Sequence, residues 1–248
     1  MKFHFRPYWL LLLLLLSCKA SFLPVKAEYV DYRITSELRR DTTMLLLIDP
    51  YKDSVNNSMN KVIGRAVMSL DKKKPEGTLG NFMADAMLHS ARAKFNLPVD
   101  LAFVNYGGIR ITQLPAGDVT IGKVFELMPF DNLLIVQEVK GSDLQQFLDL
   151  TAASGGWPVS EGISMQIKDK KAVNVEVNGK PLDPGQTYLI ANSDYVINGG
   201  DNVTMFKNLP QKNMGYLMRD AIIDYIAYLK AQGKDISAKL ENRVTNAQ

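Results

Sequence analysis

Asn105, Gly107, Gly108 and Arg110 stand within six residues of one another, directly after the apolar run Leu101–Val104. A side-chain amide and a forked cation suit anionic or carbonyl oxygens. Two adjacent glycines let the backbone approach a ligand closely or take positive φ without steric cost. A second stretch repeats this pattern: Tyr195 leads into Asn198, Gly199, Gly200 and Asp201 behind the apolar run Tyr188–Ala191. A third places Phe130 and Asn132 just after Pro129. Corners of this kind at strand ends are where α/β proteins commonly hold small ligands. Taken singly, each also reads as a tight turn with a surface arginine, or as an aromatic packed in the core.

Other chemistries lack their residues. The chain has 2 histidines, His4 and His89, and no H-x-H or G-N-H-[DE] segment. His89 sits on a helical pattern with no second histidine to pair with it, so no metal ligand set is expected in this chain. Cys18 is the single cysteine and cannot form an internal disulfide. No basic stripe with interleaved aromatics is present, so no nucleic-acid partner is expected.

The elements that must position these corners follow from periodicity. Leu101–Val104 reads as a buried strand, and so do Val62–Ser69, Leu133–Val139 and Thr187–Ser193. Gly162–Ile167 and Ala172–Val177 alternate as a strand pair, with Asn178-Gly179 as a hairpin-type turn. Leu79–Phe95 is the clearest helix, with Leu79, Phe82, Met83, Ala86 and Met87 on one face. Further helices are expected over Thr120–Met128, from a capping box at Ser142 and Gln145 to Ala153, and over Met214–Leu229. Met44, Leu45, Ile48, Tyr51, Val55 and Met59 fit a helical face, with a start at Asp49-Pro50, where proline is tolerated. Strands and helices mix without strict alternation, which predicts an α+β fold: a mixed β-sheet with packed helices.

The N-terminus reads as an export signal. Lys2 and Arg6 precede an apolar run from Trp9 to Leu16, too short to span a membrane. Leu15-Leu16-Ser17-Cys18 resembles the bacterial lipobox, which implies lipidation at Cys18 and anchoring in the cell envelope, periplasm or outer membrane. Cleavage would leave 27 basic against 26 acidic residues instead of 29 against 26, so basicity is no sign of a partner. The division expected is a signal over 1–17, a tether over 18–41, a domain over 42–235 and a tail over 236–248.

Four motifs occur in order: E-x-x-L-G-N (Glu76–Asn81), N-x-G-G-I-R (Asn105–Arg110), P-F-x-N (Pro129–Asn132) and N-G-G-D (Asn198–Asp201). Together they resemble the C-terminal, substrate-binding domain of bacterial and animal 5′-nucleotidases, over residues 40–230. The resemblance implies a nucleotide or nucleoside ligand, its base stacked between Phe130 and Tyr195. It also implies Asp201 on the ribose hydroxyls, Asn105 on base or sugar, and Asn132 orienting loop or base. Arg110 and Lys73 would face the phosphate. Lys73 stands where the family usually has arginine, and lysine lacks the planar fork.

The family hydrolyses phosphate esters with two divalent metals in a separate N-terminal domain, and the residues for such a site are not expected here. Cofactors are therefore expected only in a partner. Two functions remain open: the recognition subunit of a split 5′-nucleotidase acting with a separate metallophosphoesterase chain in nucleotide catabolism, or a stand-alone nucleotide- or nucleoside-binding lipoprotein without catalytic activity.

Overall fold

The computed structural model describes residues 26, 28–35, 38 and 41–247; the expected export signal and Cys18 lie outside them. The chain divides into two units, Met1–Leu47 and Ile48–Gln248. Helix α1 (Thr42–Met59) begins earlier than the proline suggested and carries Pro50 inside it, with no buried residue. Its start is set by Asp41, whose carboxylate accepts the Met44 N–H at 3.1 Å. That is the bond an N-cap residue makes to the first turn.

The larger unit is organised by a four-stranded mixed sheet. Its strands are β3 (Leu101–Ala102), β6 (Leu133–Lys140), β10 (Thr187–Ser193) and β11 (Gln211–Leu217), in the order β11-β6-β10-β3. Strand β10 runs parallel to β3 and antiparallel to β6, and β11 runs antiparallel to β6. Side chains alternate between faces along a strand, and here both faces are buried. Leu134, Val136, Ala191, Ala102 and Val104 point into one core; Ile135, Val139, Ile190, Leu101 and Phe103 point into the other. This explains why β6 reads as an almost continuous apolar run rather than an alternating one.

Helices α2 (Thr78–Phe95) and α6 (Met218–Ala231) cover the first face with Phe82, Met83, Met87, Ile222 and Ile226. Helix α4 (Gly141–Ala153) covers the second, with Phe147 as a hub: its ring centroid lies 4.9 Å from Phe103, 5.0 Å from Phe206 and 5.6 Å from Trp157. The second sheet, β7 (Ile163–Lys168), β8 (Lys171–Val177), β9 (Lys180–Pro181) and β12 (Val244–Asn246), adds Met165, Val175 and Val244 to that core. Asn178 and Gly179 both have positive φ (51° and 73°) in the β8–β9 turn, as a two-residue hairpin of this type requires. The remaining pairs are β1 (Val62–Ala66) with β5 (Gly117–Thr120), and β2 (Leu70–Asp71) with β4 (Gln113–Leu114). Helix α3 (Ile121–Leu127) is capped by Thr120, whose hydroxyl accepts from Lys123 N–H. Helix α5 (Asp194–Ile197) is a single turn capped by Ser193. The architecture is α+β with a mixed sheet.

Three further local expectations change. Helix α6 begins at Met218, not Met214, because 211–217 pairs with β6 as β11. The capping box before α4 does not form: Gly141 and Ser142 N–H groups donate instead to the carbonyls of Gln186 and Pro184. The segment read as a tail from residue 236 is folded in. Ile236 is buried, Asn81 donates to Glu76 and to the Lys239 carbonyl, and Glu241 N–H donates to Glu76. Arg243, also buried, makes a two-pronged pair with Asp85 at 2.7 and 2.8 Å. Glu76 and Asn81 of the E-x-x-L-G-N motif therefore clasp this C-terminal strap.

Candidate functional site

Sheet topology brings the three corners together. Parallel pairing puts the C-terminal ends of β3 and β10 at one edge, and antiparallel pairing puts the N-terminal end of β6 and the C-terminal end of β11 there too. Asn105 follows β3, Tyr195 follows β10, and Phe130–Asn132 precedes β6. All three contribute to a cleft of about 320 Å³ lined by Asn105, Gly107, Gly108, Arg110, Phe130, Asn132, Tyr195 and Asp201. That volume is in the range of small-molecule sites.

Each corner has its own reason for being there. After β3 the chain enters a 3-10 turn over Tyr106–Gly108, closed by Gly108 N–H on the Asn105 carbonyl at 2.9 Å. Neither glycine takes positive φ. What Gly108 supplies is room: a Cβ there would sit 2.5 Å from Asn105 Oδ1. The buried Asn105 amide then donates to Asp201 Oδ2 at 2.9 Å.

In the second corner Gly199 has φ 107° and Gly200 lies against the Tyr195 ring, where a Cβ would come within 2.5 Å. Asp201 (φ 50°) and Asn202 (φ 65°) are held in the left-handed region. Non-glycine residues there cost energy and cluster at binding sites. Tyr195 Oη donates to Asp201 Oδ1 at 3.2 Å. Both carboxylate oxygens thus point to fixed partners, and each keeps a further lone pair for a ligand donor.

Asp194 links this corner to the third: one of its oxygens accepts both Leu133 N–H (3.0 Å) and Tyr195 N–H (2.8 Å). Phe130 and Tyr195 are 40% and 47% exposed, and neither belongs to a core cluster. The Arg110 guanidinium lies 5.4 Å from the Phe130 ring centroid and reaches the Gly107 carbonyl at 3.4 Å.

Lys73 is placed apart from this cleft, its ammonium 3.4 Å from Asp71 and its side chain 68% exposed. Of the neighbouring lysines, the half-buried Lys72 turns inward instead. Lys72 donates to the Ile109 carbonyl at 2.8 Å and lies 4.1 Å over the Tyr106 ring, which Lys74 approaches at 4.5 Å. Burial, then the Arg110 and Lys74 cations, hold the Lys72 ammonium below its usual pKa. Sequence reasoning passed over Lys72 because three consecutive lysines carry no sign of which one faces inward. It also passed over Arg219, which grips the Phe130 loop from α6.

A family model described as "5'-nucleotidase, C-terminal domain" matches residues 55–208. The chain belongs to this family. Among curated relatives, Protein UshA of Yersinia enterocolitica is 30% identical over 213 residues, 81% of this chain and 38% of that protein. A 5'-nucleotidase of Vibrio cholerae is 28% identical over 202 residues, 77% of this chain and 35% of that protein. A solved 5'-nucleotidase precursor from Thermus thermophilus superposes with a TM-score of 0.71 at 28% identity, covering 83% of this chain and 43% of that one. The chain thus spans under half the length of these relatives.

Among the described residues no three His, Cys, Asp or Glu side chains gather where they could hold a metal ion. What the cleft can do is bind: two exposed rings, a carboxylate with spare acceptor capacity, amides and an arginine.

Proposed function

We propose that this chain is the nucleotide- and nucleoside-recognition part of a 5′-nucleotidase-type phosphoester hydrolase, acting with a separate metallophosphoesterase chain. The supporting observation is the meeting of Phe130, Tyr195, Asp201, Asn105 and Arg110 in one cleft. Exposed aromatic rings suit any base, since every base has a π-face. Asp201 accepts the ribose hydroxyls, Asn105 and Asn132 orient sugar and base, and Arg110 faces the phosphate. The lysine loop at 72–74 flanks that end, with Lys73 paired to Asp71. The two divalent metals belong to the partner, as does bond cleavage.

The location proposed is the cell envelope, with Cys18 lipidated, on the strength of the residue pattern before it. Replacing Cys18 by alanine should release the protein from the membrane fraction, because one lipidated residue is the anchor the pattern supplies. Equal partition of both forms would refute the anchor.

The purified protein with added divalent metals should bind AMP but not hydrolyse it. Hydrolysis should appear when an envelope metallophosphoesterase is added and should be saturable in it. Turnover that tracks this chain alone through purification contradicts the assignment. AMP binding with no activity under any pairing favours a stand-alone binding protein.

A further inference from the structure

The Phe130 loop is gripped from outside. Residues 128–132 sit between α3 and β6, and Pro129 contributes no N–H to hold them. The first two residues of α6 supply the grip instead. Met218 N–H donates to the Asn132 carbonyl at 2.9 Å. The Arg219 Nη1 donates to the Phe130 carbonyl at 3.3 Å and reaches the Met128 carbonyl at 3.5 Å. Its Nη2 donates to Asp131 Oδ1 at 2.6 Å. The guanidinium plane also lies 4.0 Å from the Phe125 ring centroid. One planar cation therefore takes the carbonyls on both sides of Pro129, the carboxylate after Phe130, and an aromatic face of α3.

The Arg219 side chain is 8% exposed and does not line the cleft. Burying a cation costs several kcal/mol unless it is well paired. Its partners here are all in the five-residue loop that carries Phe130 and Asn132, apart from Phe125. A second tie, through Asp194, joins the Tyr195 wall to Leu133, the residue that follows this loop.

We propose that Arg219 is a positioning residue for the cleft: it sets where the Phe130 ring stands opposite Tyr195, and so the affinity for a nucleobase, without touching the ligand. The inference rests on the reading of Phe130 as a stacking face. Lysine cannot replace the arginine, because a point charge cannot meet two carbonyls, a carboxylate and a ring face together.

The test is a double-mutant cycle on the full chain, with adenosine affinity read by calorimetry and by NMR titration for the weaker variants. Phe130→Ala should lose about 5- to 150-fold, the factor that loss of one stacked face carries. Arg219→Lys should lose about tenfold in the wild-type background and less than about twofold in the Phe130→Ala background, because coupled sites are non-additive. A merely structural arginine would subtract the same factor in both backgrounds, and that result overturns the proposal. Should Arg219→Lys fail to fold, Asp131→Asn applies the same cycle, since Asp131 is 79% exposed and its change leaves the core intact. Loss in Phe130→Ala without loss in Arg219→Lys or Asp131→Asn refutes the positioning role alone. No adenosine binding by the wild type refutes the stacking reading, and the inference with it.

Discussion

Asn105 and Asp201 lie 96 positions apart in the chain and 2.9 Å apart through the amide and carboxylate. Parallel pairing of β3 with β10 places both corners at one sheet edge, and Gly108 leaves the space in which the Asn105 amide turns toward Asp201. The bond fixes the carboxylate before any ligand arrives. Such preorganisation lowers the entropy that binding must overcome.

From this follows the behaviour of Asp201→Asn. The variant keeps the shape of the side chain and loses a charged acceptor, and hydrogen bonds to charged groups contribute about 1.5–3 kcal/mol. Adenosine binding should fall by about tenfold or more, while the free base adenine should change by less than about twofold. Calorimetric titration of both ligands checks it. An equal loss for the two would mean that Asp201 does not face the sugar.

The aromatic residues separate into two classes by burial. Phe130→Ala and Tyr195→Ala should shift the melting midpoint little, because both residues are exposed rather than packed in a core cluster. Phe147→Ala should cost about 3–5 kcal/mol of stability, since it empties the centre of the Phe103–Phe206–Trp157 cluster. Chemical denaturation of the three variants measures the contrast. A large destabilisation by Phe130→Ala or Tyr195→Ala would return those rings to a structural role.

His89 gives a pH prediction away from the cleft. Burial, with a smaller contribution from the Arg92 cation, holds its imidazole below the usual value of 6.5. Its ring centroid lies 4.0 Å from that of Tyr228 and 5.2 Å from that of Tyr225. The unfolded chain takes up this proton at higher pH than the folded one. The stability from His89 is therefore complete above about 6.5 and is lost as pH falls through the lowered folded value. His89→Asn should flatten the fall in melting midpoint below that pH, and an unchanged acid slope would show that His89 is not its source.

Much of the site was legible because its residue types are unusual where they stand: paired glycines, asparagine and arginine directly after apolar runs. The α+β class followed from periodicity. What stayed hidden depends on distant partners. Met214 fits a helical period, yet Gln211–Asn213 pair with β6 and Gly215 takes φ 64°, so the segment is a strand. Residues 236–246 look polar and loose until Arg243 meets Asp85, 158 positions away. Lys72 and Lys73 are chemically alike, and what separates them is the position of distant groups, the Ile109 carbonyl and the Tyr106 ring.

The central claim is that the cleft binds a nucleoside. Calorimetry of the purified wild-type protein with adenosine, adenine and AMP tests it most directly. One saturable site is expected, with adenosine bound more tightly than adenine, and AMP more tightly than adenosine if Arg110 faces the phosphate. Loss of AMP binding in Phe130→Ala or Tyr195→Ala would place the ligand between those rings. Absence of heat or saturation with all three ligands, with or without a partner chain, would contradict the account.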